Sequence, residues 1–168
     1  LLTEEGVALL WAPPPQEVYP EGYATNVSVS GVSSGLCGAD RPGHFDGVAT
    51  VVLKLFNQVR PDMALFGEKD WQQLAVIRRM ARDLDLTFPH VAAIHGVPIV
   101  RDDDGLAMSS RNAYLSPQNR ERASALPQAM RDAAAVVAKG GEAGRALANL
   151  RESLRVSGFD SVDYAELR

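Results

Sequence analysis

Between Val48 and Val100 the spacing of apolar residues changes period several times, and no other feature limits the fold as tightly. Val48, Val51, Val52, Leu55 and Val59 recur at helical spacing, with Asp46 placed to cap the helix and Pro61 beyond its end. DMALFG (62–67) is a short apolar run closed by glycine and reads as a buried strand. A second helix is expected from about Lys69 to Leu84, with Leu74, Ile77 and Met80 on one face. HVAAI (90–94) and VPIV (97–100) are short and β-like. Strands alternating with helices imply crossover connections, so the expected fold class is α/β with a parallel sheet. Ligands of such sheets collect at the carboxyl ends of the strands. The FGEKD turn and the loop after VPIV both lie at such ends.

The flanks read differently. VALLW (7–11) fits a buried strand stopped by APPP, and NVSVS, with Val27 and Val29, is another strand candidate. Residues 31–45 are rich in Gly and Ser and read as loop. After Leu115, Ser116-Pro117 opens an alanine-rich helical region that runs to Lys139, with a break expected near Pro127. Gly140-Gly141 is a hinge, a helix covers roughly 144–156, and SVDYAELR reads as a closing strand. The change of texture puts a domain boundary near 98–102 and divides the chain into 1–99 and 100–168. LLTEEG at the start resembles the last turn of a helix closed by Gly6, and there is no initiator Met. The chain is therefore expected to be a fragment.

Composition narrows the function classes. A chain of 168 residues that is 46% hydrophobic supports one ordinary core, or one core and a small second lobe. A net charge of −4 gives no general attraction to nucleic acid or to an anionic membrane, although a local basic site is still possible. The single cysteine, Cys37, excludes an intrachain disulfide and fits a reducing compartment. No apolar run approaches the roughly 18 residues of a membrane span, and no signal peptide is visible.

Three stretches have the residue types of an anion site. RPGHFDGV (41–48) sets Arg41 and His44 just before a helix N-terminus, where exposed N–H groups and the dipole favour a carboxylate or phosphate. The plainer alternative is that His44 packs or caps at the helix entry. FGEKDWQQL (66–74) is a strand, a Gly turn and a helix opening with Glu68, Lys69 and Asp70. A lysine there meets the positive end of the dipole, which is easier to explain if it neutralises phosphate. Asp70 could orient that lysine, cap the helix or bind a ribose hydroxyl, and only one of Gln72 and Gln73 can share the strand-end face. GLAMSSRN (105–112) offers two hydroxyls and a planar five-donor cation, a set suited to a phosphate chain whose charge is moving. A Ser-rich interdomain loop, with Arg111 paired to one of Asp102–Asp104, is the alternative. The acid run 102–104 could bind a cation, but a solvated turn is the favoured reading. His90 and His95 lack spaced partners, so no metal site is expected. Trp11 and Trp71 are expected to pack rather than stack on a ligand.

In this order RPGHFDGV, FGEKDWQQL and DGLAMSSRN, with YPEG at 19–22, resemble the pantothenate synthetase (pantoate–β-alanine ligase) family over essentially the whole chain. The resemblance implies a Rossmann-like nucleotidyltransferase domain with a parallel sheet, of which 1–99 is part. It also implies a smaller C-terminal α+β lid domain, partly present in 100–168, and a cytoplasmic homodimer. It implies condensation of pantoate with β-alanine through a pantoyl adenylate, with release of pyrophosphate and AMP. ATP would be used with Mg2+ and no protein-held metal. By the same resemblance Gly67, Glu68, Lys69 and Asp70 line the ATP site, and the Val100 backbone meets adenine. Met108, Ser109, Ser110 and Arg111 form a KMSKS-like loop on the phosphates. Gln73, with His44 and Arg41, faces pantoate. Lys69, Ser109, Ser110 and Arg111 are the expected catalytic group. No side chain need act as general base, because the carboxylate of pantoate is already ionised at neutral pH.

The family's His-x-Gly-His signature, first strand and second pantoate glutamine have no counterpart here, and the C-terminal domain ends after its first strand. LTFPHVAAIHGVPI is a few residues longer than the usual connection. The 168-residue piece is accordingly expected to be inactive by itself. Two other readings compete: a truncated, non-catalytic remnant that binds nucleotide or dimerises, and another small-substrate adenylyltransferase.

Overall fold

The computed structural model describes residues 1–168. Helix α1 (Pro15–Val18) and helix α2 (Cys37–Asp40) are single turns set in an otherwise irregular stretch that precedes the long helix α3 (His44–Val59). Strand β1 (Ala64–Gly67) leads through a 3-10 turn, Glu68–Asp70, into helix α4 (Trp71–Asp83). Strand β2 (Ile94–Val97) then pairs with β1 in parallel, in the register Ala64 to Ile94 through Gly67 to Val97. This is one βαβ unit, the smallest piece of a parallel sheet.

The first core lies between this unit and α3. Leu74, Val76, Ile77, Met80 and Ala81 of α4 are buried against Phe45, Ala49 and Phe56 of α3 and Ile94 of β2. Arg78 fastens α4 to the sheet, its Nε and Nη2 both donating to the Ile94 carbonyl, at 3.0 and 2.9 Å. Thr50, also buried, accepts from the Val27 N–H (2.9 Å) and donates to Asn26 Oδ1 (3.1 Å), which ties the preceding segment to α3.

Several local expectations are corrected. Helix α3 starts at His44 because Gly43, at φ 80, turns the chain into it; Asp46 lies in the first turn and accepts from Ser28 Oγ instead of capping. Its buried face is Phe45, Ala49, Thr50 and Phe56, rotated from the expected valine row, and Val59 is exposed. Strand β1 is only half-buried, and on alternate residues, Ala64 and Phe66, with Leu65 exposed. Of HVAAI, residues 91–93 form a 3-10 turn and only Ile94 belongs to the strand. VALLW and NVSVS form no strand, since neither finds a neighbour to pair with, although Val29 joins the core. Trp11 and Trp71 are half or more exposed rather than packed; the Trp11 indole donates to Gln58 Oε1.

The second core is helical. Helix α5 (Pro117–Ala123) is capped by Ser116, whose hydroxyl accepts from the Asn119 N–H. The break before helix α6 (Ala125–Ala138) falls at Ser124, not at Pro127, which sits in the first turn where no N–H is needed. Gly140, at φ 82, begins the reversal into helix α7 (Ala143–Val156). Ala129 and Ala133 of α6 pack against Ala146, Leu150 and Leu154 of α7, and small side chains let the axes approach. The last eight residues form no strand, because no segment offers them a ladder; Ala165 instead seals this core, its carbonyl accepting from Arg151. No helix is long and apolar enough to cross a membrane.

Candidate functional site

The turn between β1 and α4 aims its side chains at the carboxyl end of the sheet. Gly67 closes the strand, and the 3-10 turn presents Lys69, whose nearest acid is Asp70 at 3.8 Å. Asp70 occupies the cap position of α4 but makes no capping hydrogen bond, so of its three possible duties the lysine contact is the one observed. Both side chains are substantially solvated, which leaves the Lys69 ammonium free to meet an anion. Glu68 folds back over Gly96 on β2, where an added Cβ would come within 2.7 Å of Glu68 Oε1.

Two hollows meet at this turn. The larger, about 540 Å³, lies between the two cores and takes Arg41 and Lys69 from one side and Arg101, Leu106 and Ala107 from the other. The smaller, about 230 Å³, is lined by Leu36, His44, Lys69, Asp70 and Gln73 among others. Cys37, Lys69 and Tyr164 line both. Arg41, His44, Asp70 and Gln73, expected from the sequence, are thus gathered around Lys69. Burial raises the pKa of the Tyr164 phenol, with the charge of Cys37 as the next contribution.

The wall of the smaller hollow is built by Gln72. Its side-chain amide donates to the carbonyls of Val32 (3.0 Å) and Gly35 (2.7 Å), and its Oε1 accepts from the Cys37 N–H (3.1 Å). Those bonds bracket Leu36, which sits at φ 52, a region that costs a branched residue of order 1–3 kcal/mol. Gly38 has no alternative, because a Cβ there would lie 1.6 Å from the Ser33 carbonyl oxygen.

Across the larger hollow, residues 100–108 fold into a tight hairpin. Met108 N–H donates to the Val100 carbonyl, Asp102 N–H to that of Leu106, and Gly105, at φ 88, makes the turn. Val100 and Met108 are more than half exposed. Ser109 then caps a 3-10 turn, Ser110–Tyr114, its hydroxyl accepting from the Arg111 N–H at 3.3 Å. Ala107 lines the hollow; Met108, Ser109, Ser110 and Arg111 follow it in the chain but line neither cavity. Arg111 forms no ion pair, so the interdomain-pairing alternative fails. The partner of Asp102 and Asp104 is Arg120.

Sequence reasoning missed Gln72, Tyr164, Arg101 and Arg120. Gln72 was visible as one of an adjacent pair, but nothing in the spacing said which of the two would turn inward. Arg120 lies 16 and 18 residues from the acids it binds, beyond any local pattern.

The family model for pantoate-beta-alanine ligase matches residues 1–168. The chain belongs to that ligase family. It is 68% identical over 168 residues to the pantothenate synthetase of Novosphingobium aromaticivorans, covering all of this chain and 59% of that protein. With the enzyme of Sphingopyxis alaskensis it shares 58% over 167 residues, 99% of this chain and 58% of the other. The chain therefore spans about 59% of the length of the curated relatives it matches. Among solved structures, pantothenate synthetase from Thermus thermophilus superimposes with a TM-score of 0.82 at 52% identity, over 92% of this chain and 55% of that one. The pantoate-beta-alanine ligase of Francisella tularensis, complexed with beta-gamma ATP and beta-alanine, gives 0.79 at 29% identity, over 94% and 56%. The ligase-family resemblance and the α/β class expected from the sequence are both borne out.

Proposed function

We propose that the protein is an AMP-forming ligase that joins pantoate to β-alanine, with ATP lying in the larger hollow and pantoate in the smaller. The observation that carries this reading is the position of Lys69 on both hollows, one cation serving two anions that must meet. The ligand pair named for the Francisella structure, beta-gamma ATP and beta-alanine, supports it.

In this reading an ionised pantoate carboxylate oxygen attacks the α-phosphorus, forming a new P–O bond while pyrophosphate leaves. The β-alanine amine then attacks the acyl carbon, the bond to AMP breaks and the amine gives up a proton to solvent. Gln73 and His44 orient pantoate, and Gly67, Glu68 and Asp70 shape the turn that offers Lys69. Arg41 adds positive charge at the phosphate end, and the backbone at Val100 borders the base. Met108, Ser109, Ser110 and Arg111 close from the far side as charge passes to pyrophosphate. Such closure needs residues 108–111 to swing inward from the end of the hairpin, since they stand outside the hollow in this conformation. The rate then comes from positioning and electrostatics rather than from a general base.

Magnesium fits this site through the nucleotide. No group of three His, Cys, Asp or Glu side chains could hold a metal by itself, and magnesium on a triphosphate draws chiefly on phosphate oxygens and water. When bound, it neutralises phosphate charge. Residues 1–99 serve as the nucleotide- and pantoate-binding domain and 100–168 as part of the lid, in a cytoplasmic homodimer. The test is pantoate-dependent exchange of labelled pyrophosphate into ATP by the protein at its full natural length. Exchange that needs pantoate is expected; exchange that ignores it points to another adenylyltransferase, and none at all to a non-catalytic remnant.

A further inference from the structure

We infer that Arg120 is a positioning residue for the Met108–Arg111 segment, because its guanidinium bridges the two carboxylates of the hairpin from which that segment extends. The inference rests on the ATP-ligase reading above. Arg120 Nη1 donates to Asp104 Oδ2 at 2.5 Å, and Nη2 donates to Asp102 Oδ2 at 2.9 Å and to Asp104 Oδ1 at 3.3 Å. Asp104 Oδ1 also accepts from the Leu106 N–H (3.1 Å), and Arg101 Nη1 donates to the Gly105 carbonyl (3.0 Å). The acid turn is thereby tied to helix α5 on one side and to its own backbone on the other.

The consequence is a closed ring. Residues 101–107 are one fixed point and α5 is the other, with Arg120 clamping them together. The arc between them contains Met108, Ser109, Ser110 and Arg111, and it is mostly exposed. An arc with both ends held can swing over a ligand while keeping its donors in register, which an arc with one loose end cannot. The clamp is also electrostatic. Asp102, Asp103 and Asp104 stand beside a segment proposed to grip phosphate, and Arg120 neutralises two of the three. The planar fork meets the two carboxylates through separate nitrogens held at a fixed spacing, whereas a lysine has a single nitrogen to share between them.

The test compares wild type, Arg120→Gln and Arg120→Lys in the protein at its full natural length. Deuterium uptake and ATP affinity are measured, with the KM for pantoate as the internal control. In Arg120→Gln, uptake is expected to rise at the amides of Asp102, Gly105, Leu106 and Met108, which are hydrogen-bonded in the hairpin, and to stay unchanged in α4 and α7. The Kd for ATP is expected to rise about fivefold, as the share of molecules with the arc in place falls, while the KM for pantoate holds. Arg120→Lys should fall between the two. A general loss of stability would lower the active fraction without raising the Kd. Unchanged hairpin uptake, or raised uptake with wild-type ATP affinity, would overturn the inference. Failure of the wild type to bind ATP would instead overturn the reading beneath it, and the wild-type control separates the two failures.

Discussion

Gln72 and Gln73 are neighbours on the first turn of α4, yet only Gln72 is committed to the fold. Its three hydrogen bonds hold the loop from Val32 to Cys37, whereas Gln73 faces the smaller hollow and makes no hydrogen bond within the chain through its side chain. Gln72→Ala should therefore cost roughly 1–3 kcal/mol, since it strands one amide and two carbonyls in a partly buried loop. Gln73→Ala should change stability by less than about 0.5 kcal/mol and weaken pantoate binding instead. Urea denaturation and pantoate titration of both variants check the contrast.

A second prediction concerns the wall itself. Gly38→Ala cannot be absorbed by a flexible neighbour, because the clash at 1.6 Å is with the Ser33 backbone. The loop must open, and Leu36 loses the bracket that holds it at positive φ. Stability should drop by several times the roughly 0.5–1 kcal/mol that a Gly-to-Ala change usually shifts it. A melting curve no lower than wild type would show that the loop has another arrangement.

Two cations should behave differently in binding and in rate. Lys69→Ala is expected to weaken ATP at least about tenfold, with little loss of stability because its pairing with Asp70 is solvated. Arg111→Ala should leave the fold intact and slow adenylate formation on the order of 100-fold, the scale for removing one donor from developing charge. Single-turnover measurement of adenylate formation, beside equilibrium ATP binding, separates the two effects.

The hairpin should also respond to acid. The Arg120 hydrogen bonds first, and the Leu106 N–H second, hold the Asp104 carboxyl below the ordinary carboxylate range. A carboxylate with a lowered folded pKa adds stability that is fully present above its unfolded pKa. That stability is lost as pH falls through the folded value. Amide protection at Gly105 and Leu106 should accordingly be flat from neutral pH down to the ordinary range and fall below it. Asp104→Asn should abolish that fall.

How much of this was legible beforehand follows from the range of the interactions. The βαβ unit was visible because Leu74, Ile77 and Met80 declare a helix locally and the glycine at 67 ends a strand locally. Arg41, His44 and Lys69 each stand at a strand end or helix entry, which marked them locally as candidates for an anion, whereas the choice of Gln73 and the grouping of all four came only with the family resemblance. The inward turn of Gln72, the Arg120 clamp and the Tyr164 phenol were not legible, because each depends on a partner at least sixteen residues away or on burial that no spacing encodes. VALLW misled because an apolar run names a strand only when another strand exists to pair with it.

The most direct measurement is a crystal structure of the full-length protein with a non-hydrolysable ATP analogue and pantoate. Phosphate oxygens are predicted about 3 Å from Lys69 Nζ, with the Ser109 and Ser110 hydroxyls and the Arg111 guanidinium closed onto the opposite side of the phosphate chain. A triphosphate bound away from Lys69, or bound there with residues 108–111 still turned outward, would contradict the proposed enzyme.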